Sequence, residues 1–198
     1  MTYKFMNFIK KYKWIIISVV AVLAVVGLTE HFMGRLPLGP DGKFGWWDGN
    51  IYSSENSQRV FDAYSLTHII HGFIIYLVLW VFARRLPAKY RFIAAVILEG
   101  AWEILENSPI IINRYREGTI SLGYTGDSIL NSLSDIVMMS IGFLLAWRFK
   151  VWASVLTVIA IEIALLLWVK DNLTLNIIML IHPIDAIKNW QSAGQPKL

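Results

Sequence analysis

The sequence predicts an all-α fold: a polytopic transmembrane helix bundle of about five spans plus a short C-terminal interfacial helix, forming one integral membrane domain over residues 1–198. Three observations carry this expectation. The chain is 56% apolar and only 16% charged, with nine Trp, which is too apolar for a water-soluble domain of this length. Apolar runs close to the roughly 20 residues that cross a ~30 Å hydrocarbon core recur along it. The basic residues sit beside those runs instead of forming a stripe. That is a topology signal, so the net charge of +4 predicts no nucleic-acid partner.

In chain order, Lys4, Lys10, Lys11 and Lys13 precede a first apolar run that gives a span over about 14–32. No A-x-A-like cleavage site follows it, and Glu30 and His31 come directly after, so it reads as an uncleaved helix and not as a signal peptide. A Gly- and Trp-rich segment over 34–59, containing PDGKFGWWDGN, suits an ordered loop at a membrane interface, where Trp rings settle. The second span, 61–83, carries DAYSLTHIIHGF at its start and meets RRLPAKYR at its end. The third covers 92–112, the fourth 127–147 and the fifth 151–169. The segment NIIMLIHPIDAI is too short to cross and holds Pro183, so it reads as interfacial or half-inserted. A cytoplasmic N-terminus places RRLPAKYR and WRFK in the cytoplasm as well, which satisfies the positive-inside rule and turns the loops over 34–59 and 113–126 outward.

The third span is interrupted by Glu99, Glu103 and Glu106, spaced i, i+4, i+7 and therefore on one helical face. Asp127, Asn131 and Asp135 follow i, i+4, i+8 on the fourth span, with Ser128, Ser132 and Ser134 nearby, and His68 and His71 stand at i, i+3 on the second. Counting inward at ~1.5 Å per residue places these groups at overlapping depth in the outer half of the bilayer. A charge at the centre of a span costs roughly 2.5 to 3.5 kcal/mol, whereas each Leu, Ile, Val or Phe returns about 0.3 to 0.6. The carboxylates must therefore be protonated, paired or cation-bound.

Structural roles account for some of these residues singly: an interfacial salt bridge for Glu106 or Asp127, interhelical hydrogen bonds for Ser and Asn, and packing or pairing for Glu162. Convergence of so many at one depth points to a functional site. With no Cys in the chain, a metal would be held by His and carboxylates, a ligand set for zinc, iron or manganese. The candidate ligands are His68, His71, Glu103, Asp127 and Asp135. Glu103, Glu106, Asp135 and Asn131 are the candidate catalytic residues, and Glu99 supports them from below. A strict Glu-x-x-His motif is absent, and a metal-free site using carboxylate and imidazole as base and acid is equally open on the residues. Arg114 and Arg116, in the outward loop, are candidates for binding an anionic substrate group; a salt bridge to Glu117, Glu106 or Asp127 is the other reading.

The stretches SENSQ (54–58), H-x-x-H-G-F (68–73), EGAWEILENSP, INRYREGTISLGYTGDSILNSLSDI and KDNLTLNIIMLIHPIDAIKNWQ resemble a proteobacterial inner-membrane family known as domain of unknown function 2585, from about residue 34 onward. The resemblance implies an integral protein of the bacterial inner membrane, with no activity to transfer. The order His, Glu, Arg, Asp, Asn, Gly is more loosely similar to VanZ-like membrane proteins of glycopeptide resistance.

Two functional readings follow. One is a membrane-embedded hydrolase or transferase, metal-dependent in its simplest form, acting on a membrane lipid or lipid-linked anionic substrate. The other is a small ion- or proton-coupled transporter or binding protein using the same carboxylates. The inner stretches IIYLVLWVFA and VMMSIGFLLAW are almost purely apolar, which favours the first.

Overall fold

A computed structural model describes residues 2–121 and 123–193, with side chains from residue 10 onward; Lys4 of the basic N-terminus lies outside the described side chains. The order of elements is α1 (Thr2–Phe32), β1 (Trp47–Asp48), β2 (Phe61–Asp62), α2 (Ser65–Phe82), α3 (Ala88–Glu106), α4 (Pro109–Gly118), α5 (Ile129–Arg148), α6 (Val151–Val169), α7 (Leu173–Ile181) and α8 (Asp185–Ser192). The fold is thus an all-α bundle, the strands being one short parallel pair with Trp47 opposite Phe61.

Among the described residues, four helices are long and apolar enough to cross a membrane: Lys10–Phe32, Ser65–Phe82, Ile129–Arg148 and Val151–Val169. By length and composition this is a membrane protein. Helix α3 is as long, with 19 residues, but it carries Lys89, Arg91 and the three glutamates and is less apolar.

The helix expected over 92–112 ends earlier, at Glu106, and α4 starts afresh at Pro109. Proline has no N–H to continue the ladder and forces the residue before it out of the helical region; Ser108 is accordingly extended, with φ −76 and ψ 152. Helix α5 begins at Ile129, not at 127, because Ser128 is extended and its side chain accepts from the Asn131 N–H as an N-cap. The C-terminal segment forms two short helices, parted around Pro183.

Helices α2 and α5 run in the same direction and meet backbone to backbone. A Cβ on Gly72 would stand 2.2 Å from the Met139 carbonyl oxygen, and one on Gly142 would stand 2.0 Å from that of Ile69. Helix α3 runs antiparallel to α2, its start joined by Arg91 over the Tyr76 ring at 5.6 Å and its later turns by the histidines. Val26, Ala95, Val96, Ile136, Met139 and Phe143 form the apolar core between α1, α3 and α5. Outward faces stay apolar and exposed, as at Leu77, Leu156 and Leu167, where lipid is the solvent.

The loop over 34–64 is fastened to the start of α5. Ile129 N–H donates to the Leu36 carbonyl, Ser128 N–H to that of Ser57, and the Gln58 amide to that of Gly126. Ser57 takes φ 60, an uncommon conformation for a side chain with Cβ, and its N–H is held by Asp62 at 2.9 Å.

Candidate functional site

The site begins with the start of α2. The Asp62 carboxylate accepts from the N–H groups of Tyr64 at 2.7 Å and Ser65 at 3.0 Å, satisfying donors that a helix start leaves free. One turn later α2 presents His68 and His71. The close crossing at Gly72 and Gly142 brings this turn against α5, where His68 Nε2 lies 3.7 Å from Asp135 Oδ2.

From α3, a single oxygen of Glu99 receives both rings: His68 Nδ1 at 2.7 Å and His71 Nδ1 at 2.9 Å. An ionised carboxylate only accepts, so both imidazoles donate from Nδ1, and both Nε2 atoms are turned away from Glu99, that of His68 toward Asp135. Glu103, one turn along, is fully buried, with Oε1 3.4 Å from His68 Nδ1; neither of its oxygens has a hydrogen-bond partner among the described residues, nor has Asp135 Oδ1. Two sets of donor atoms lie close enough to share one ion: His68, His71 and Glu99, and His68, Glu103 and Glu106, the atoms of each within 4.8 Å of one another.

A second polar layer lies toward the loops. Glu106 is 2.9 Å from the Tyr115 hydroxyl. Asp127 accepts from the Tyr124 hydroxyl at 2.8 Å and from the Asn107 amide at 3.1 Å, which also reaches Ser132. Burial raises both phenols well above the usual tyrosine range, reinforced by these carboxylates, so both remain protonated donors.

Both layers open on one cavity of about 350 Å³. Its polar end is lined by Asp62, His68, His71, Glu99, Glu106, Asp127 and Asp135, its apolar wall by Ile74, Leu98, Trp102, Ile177 and Leu180. Among the described residues no Lys or Arg lines it.

The structure thus brings Glu99, Glu103 and Asp135 to His68 and brings His71 to Glu99, with Glu106 in the donor set of His68 and Glu103. Asp127 belongs to the outer layer with Asn107. Asn131 lines the cavity but its amide donates to the Arg59 carbonyl at 2.9 Å, fastening the loop. Arg114 donates to the carbonyls of Leu180 at 2.6 Å and Ile181 at 2.8 Å, and Arg116 to that of Tyr124 at 2.5 Å. These contacts hold the backbone of cavity-lining segments, and neither arginine itself lines the cavity.

Glu99 emerges as the shared partner of both histidines, a larger part than support from below. Glu30 is the other addition. It is fully buried at the end of α1, its carboxylate oxygens making no well-formed hydrogen bond among the described residues, and Ser132, Arg35 and Glu106 are its polar neighbours. Among the described side chains of α1 it is buried together with Val26, four residues before it, which puts both on the inward face; its spacing alone did not single it out. Glu162 has the packing role expected of it, accepting from the N–H groups of Leu173 at 3.0 Å and Thr174 at 3.2 Å at the start of α7.

Comparison with known proteins places this arrangement in a family. The family described as Protein of unknown function (DUF2585) matches residues 30–193. The chain is similar to a UPF0314 protein of Sphingopyxis alaskensis, 48% identical over 182 residues that cover 91% of this chain and 95% of that protein. It is similar to a UPF0314 protein of Sinorhizobium fredii at 47% identity, covering 90% and 91%, and to one of Paracoccus denitrificans at 48%, covering 87% and 89%. No solved structure matches the chain.

Proposed function

The chain belongs to the family of proteins of unknown function DUF2585, and from that premise we propose a membrane-embedded, metal-dependent hydrolase or transferase acting on a lipid or lipid-linked anionic substrate. It sits in the bacterial inner membrane with a cytoplasmic N-terminus, α3 crossing as a fifth span, and works in the outer half of the bilayer. The observation that carries the reading is the pair of imidazoles bonded to one Glu99 oxygen beside the buried Glu103, whose oxygens take no hydrogen bond among the described residues and whose nearest cationic group is His68 at 3.4 Å. A buried ionised carboxylate with no partner is costly by several kcal/mol, and a cation removes that cost. A carboxylate that accepts from Nδ1 and thereby aims Nε2 is also how metal-ligating histidines are oriented.

His68, His71, Glu103 and Asp135 are the proposed ligands of a divalent zinc, iron or manganese ion, and Glu99 is their positioning residue. Such an ion polarises a phosphoryl or acyl oxygen and acidifies a bound water. Glu106 is in place to take and return a proton, held by the protonated Tyr115 hydroxyl. The polar end carries carboxylates and imidazoles without an Arg or Lys, so the bound cation, and not Arg114 and Arg116, neutralises an anionic group there. The transporter reading needs polar groups continuing across the bundle. Val96, Ala95, Ile136, Met139 and Phe143 fill that path, which favours the enzyme.

Metal analysis of the detergent-purified chain tests this. The wild type should retain about one divalent ion per chain, Glu103→Gln should lose it, and Glu99→Gln should weaken its affinity by roughly 10- to 100-fold. The reading fails if wild type and variants are equally free of metal and the variants still complement a deletion strain.

A further inference from the structure

The apolar wall of the cavity has an outside as well as an inside. Ile74 on α2, Leu98 on α3 and Ile177 on α7 line it and are also 44%, 49% and 44% exposed, too accessible for side chains closed inside the bundle. These three side chains therefore border an opening of the cavity between α2, α3 and α7, and the polar end adjoins them at His71, one turn before Ile74, and at Glu99, the residue after Leu98.

The packing explains why the opening is on this side. Helix α2 is drawn against α5 by Gly72 and Gly142, while α3 is drawn against α1 at Gly100, where a Cβ would stand 2.9 Å from Val26 and 3.0 Å from Val22. The two helices lean on different partners, and the third wall is left to α7, which has nine residues. That wall is clipped at its ends: Glu162 holds its first N–H groups and Arg114 its last carbonyls. The contacts of Arg114 and Glu162 thereby gain a purpose in keeping α7 beside the cavity.

Size and direction constrain the occupant. About 350 Å³ lies near the lower end of ligand pockets, which run to roughly 1,000 Å³, so a head group and the first carbons of a chain fit while a whole two-chain lipid does not. Ile74 lies one turn along α2 beyond His71, and Leu98 one turn back along α3 from Trp102. Because α2 and α3 are antiparallel, both steps lead from the loops toward the middle of the bundle. An amphiphile placed here has its head among the histidines and its chain pointing toward the midplane, as in one leaflet of a bilayer.

Resting on the functional reading above, we propose that the substrate is a membrane lipid with a small head group that enters sideways between α2, α3 and α7, its chain against Ile74, Leu98, Ile177 and Leu180 and its head at His71 and Glu99. The chain leaves through the opening and stays in the bilayer.

The experiment is photolabelling of the purified full chain with a dodecyl phosphate bearing a diazirine at the end of its chain, read by peptide mass spectrometry. Labelling should concentrate on the segments around Ile74, Leu98 and Ile177. Ile177→Trp should reduce labelling around Leu98 at least tenfold, and the smaller change Leu98→Phe should reduce labelling around Ile177. Leu156→Trp, on the lipid face of α6, should change neither. Circular dichroism and gel filtration confirm that each variant folds. Inorganic phosphate, which has no chain, should not protect.

Even labelling of all lipid-facing helices, or unchanged labelling in Ile177→Trp, would overturn the proposal, as would full protection by inorganic phosphate. Focused labelling of a protein that binds no metal would remove the metal chemistry and leave the lipid site standing. Bound metal without focused labelling would do the reverse.

Discussion

Opposed forces on single carboxylates are measurable outside the spans. Asp171 accepts from the Asn172 N–H at 2.9 Å, the Gln191 amide at 3.0 Å and the Tyr64 hydroxyl at 3.1 Å, yet burial outweighs these donors and raises its pKa to about 6. A carboxyl whose folded pKa lies above its ordinary value of 3.8 binds more protons folded than unfolded. Its contribution to stability is complete below pH 3.8 and is lost as pH rises through about 6. Asp171→Asn should flatten this part of the unfolding profile, measured as thermal midpoints in detergent between pH 4 and 6.5; parallel profiles for the two proteins would refute the assignment. Inside the bundle, His68, His71, Glu103 and Asp135 were legible in sequence because charge in an apolar run is expensive and spacing fixes their face. Which carboxylate the imidazoles would meet was not legible. Glu99 and Glu103 share a face, and the choice depends on the rotation and depth of α3 against α2.

Between elements, the decisive contact is α2 on α5. At Gly142 the Ile69 carbonyl oxygen lies 2.0 Å from where a Cβ would be, and backbone cannot yield as a flexible side chain does. Gly142→Ala should destabilise the bundle by about 1 to 3 kcal/mol or more and separate His68 from Asp135, seen as a lower unfolding midpoint together with lost metal. Retention of both would mean that the helices re-seat without cost. Arg114→Lys keeps the charge but removes the fork that spans the Leu180 and Ile181 carbonyls. Loss of hydrogen bonds from a charged donor costs roughly 1.5 to 3 kcal/mol, so limited proteolysis should cut faster near His182 while metal content stays at the wild-type level. Unchanged proteolysis would show that α7 is held by other contacts. Neither role could be read from the residues alone: a glycine pair signals close approach only once its partner backbone is known, and an arginine in a loop is equally suited to an anion or a carbonyl.

Across the whole molecule, the exposed tryptophans sort by height. Trp14, Trp80, Trp147 and Trp152 lie at one end of the helices, and Trp46, Trp47, Trp168 and Trp190 at the other; Trp47 is stacked on Trp168 at 5.7 Å. Such a sorting is what two interfacial belts would require, and Trp102 stands between the two groups, edge-on to His71 in the cavity wall. The basic segments RRLPAKYR and WRFK accompany the first belt, so the cavity end should face the periplasm. A reporter enzyme fused after Gly123 should show periplasmic activity; cytoplasmic activity would invert the molecule and move the site to the inner leaflet. The sequence by itself determined the helical class, the apolar segments and the polar faces, because solvent preference and helical period act locally along the chain. Tertiary structure decided that Glu99 joins the histidines, that Glu30 turns inward, and that Arg114 secures α7. Each of these depends on which helices touch and at what height, a relation set by glycine contacts and loop hydrogen bonds between residues far apart in the chain.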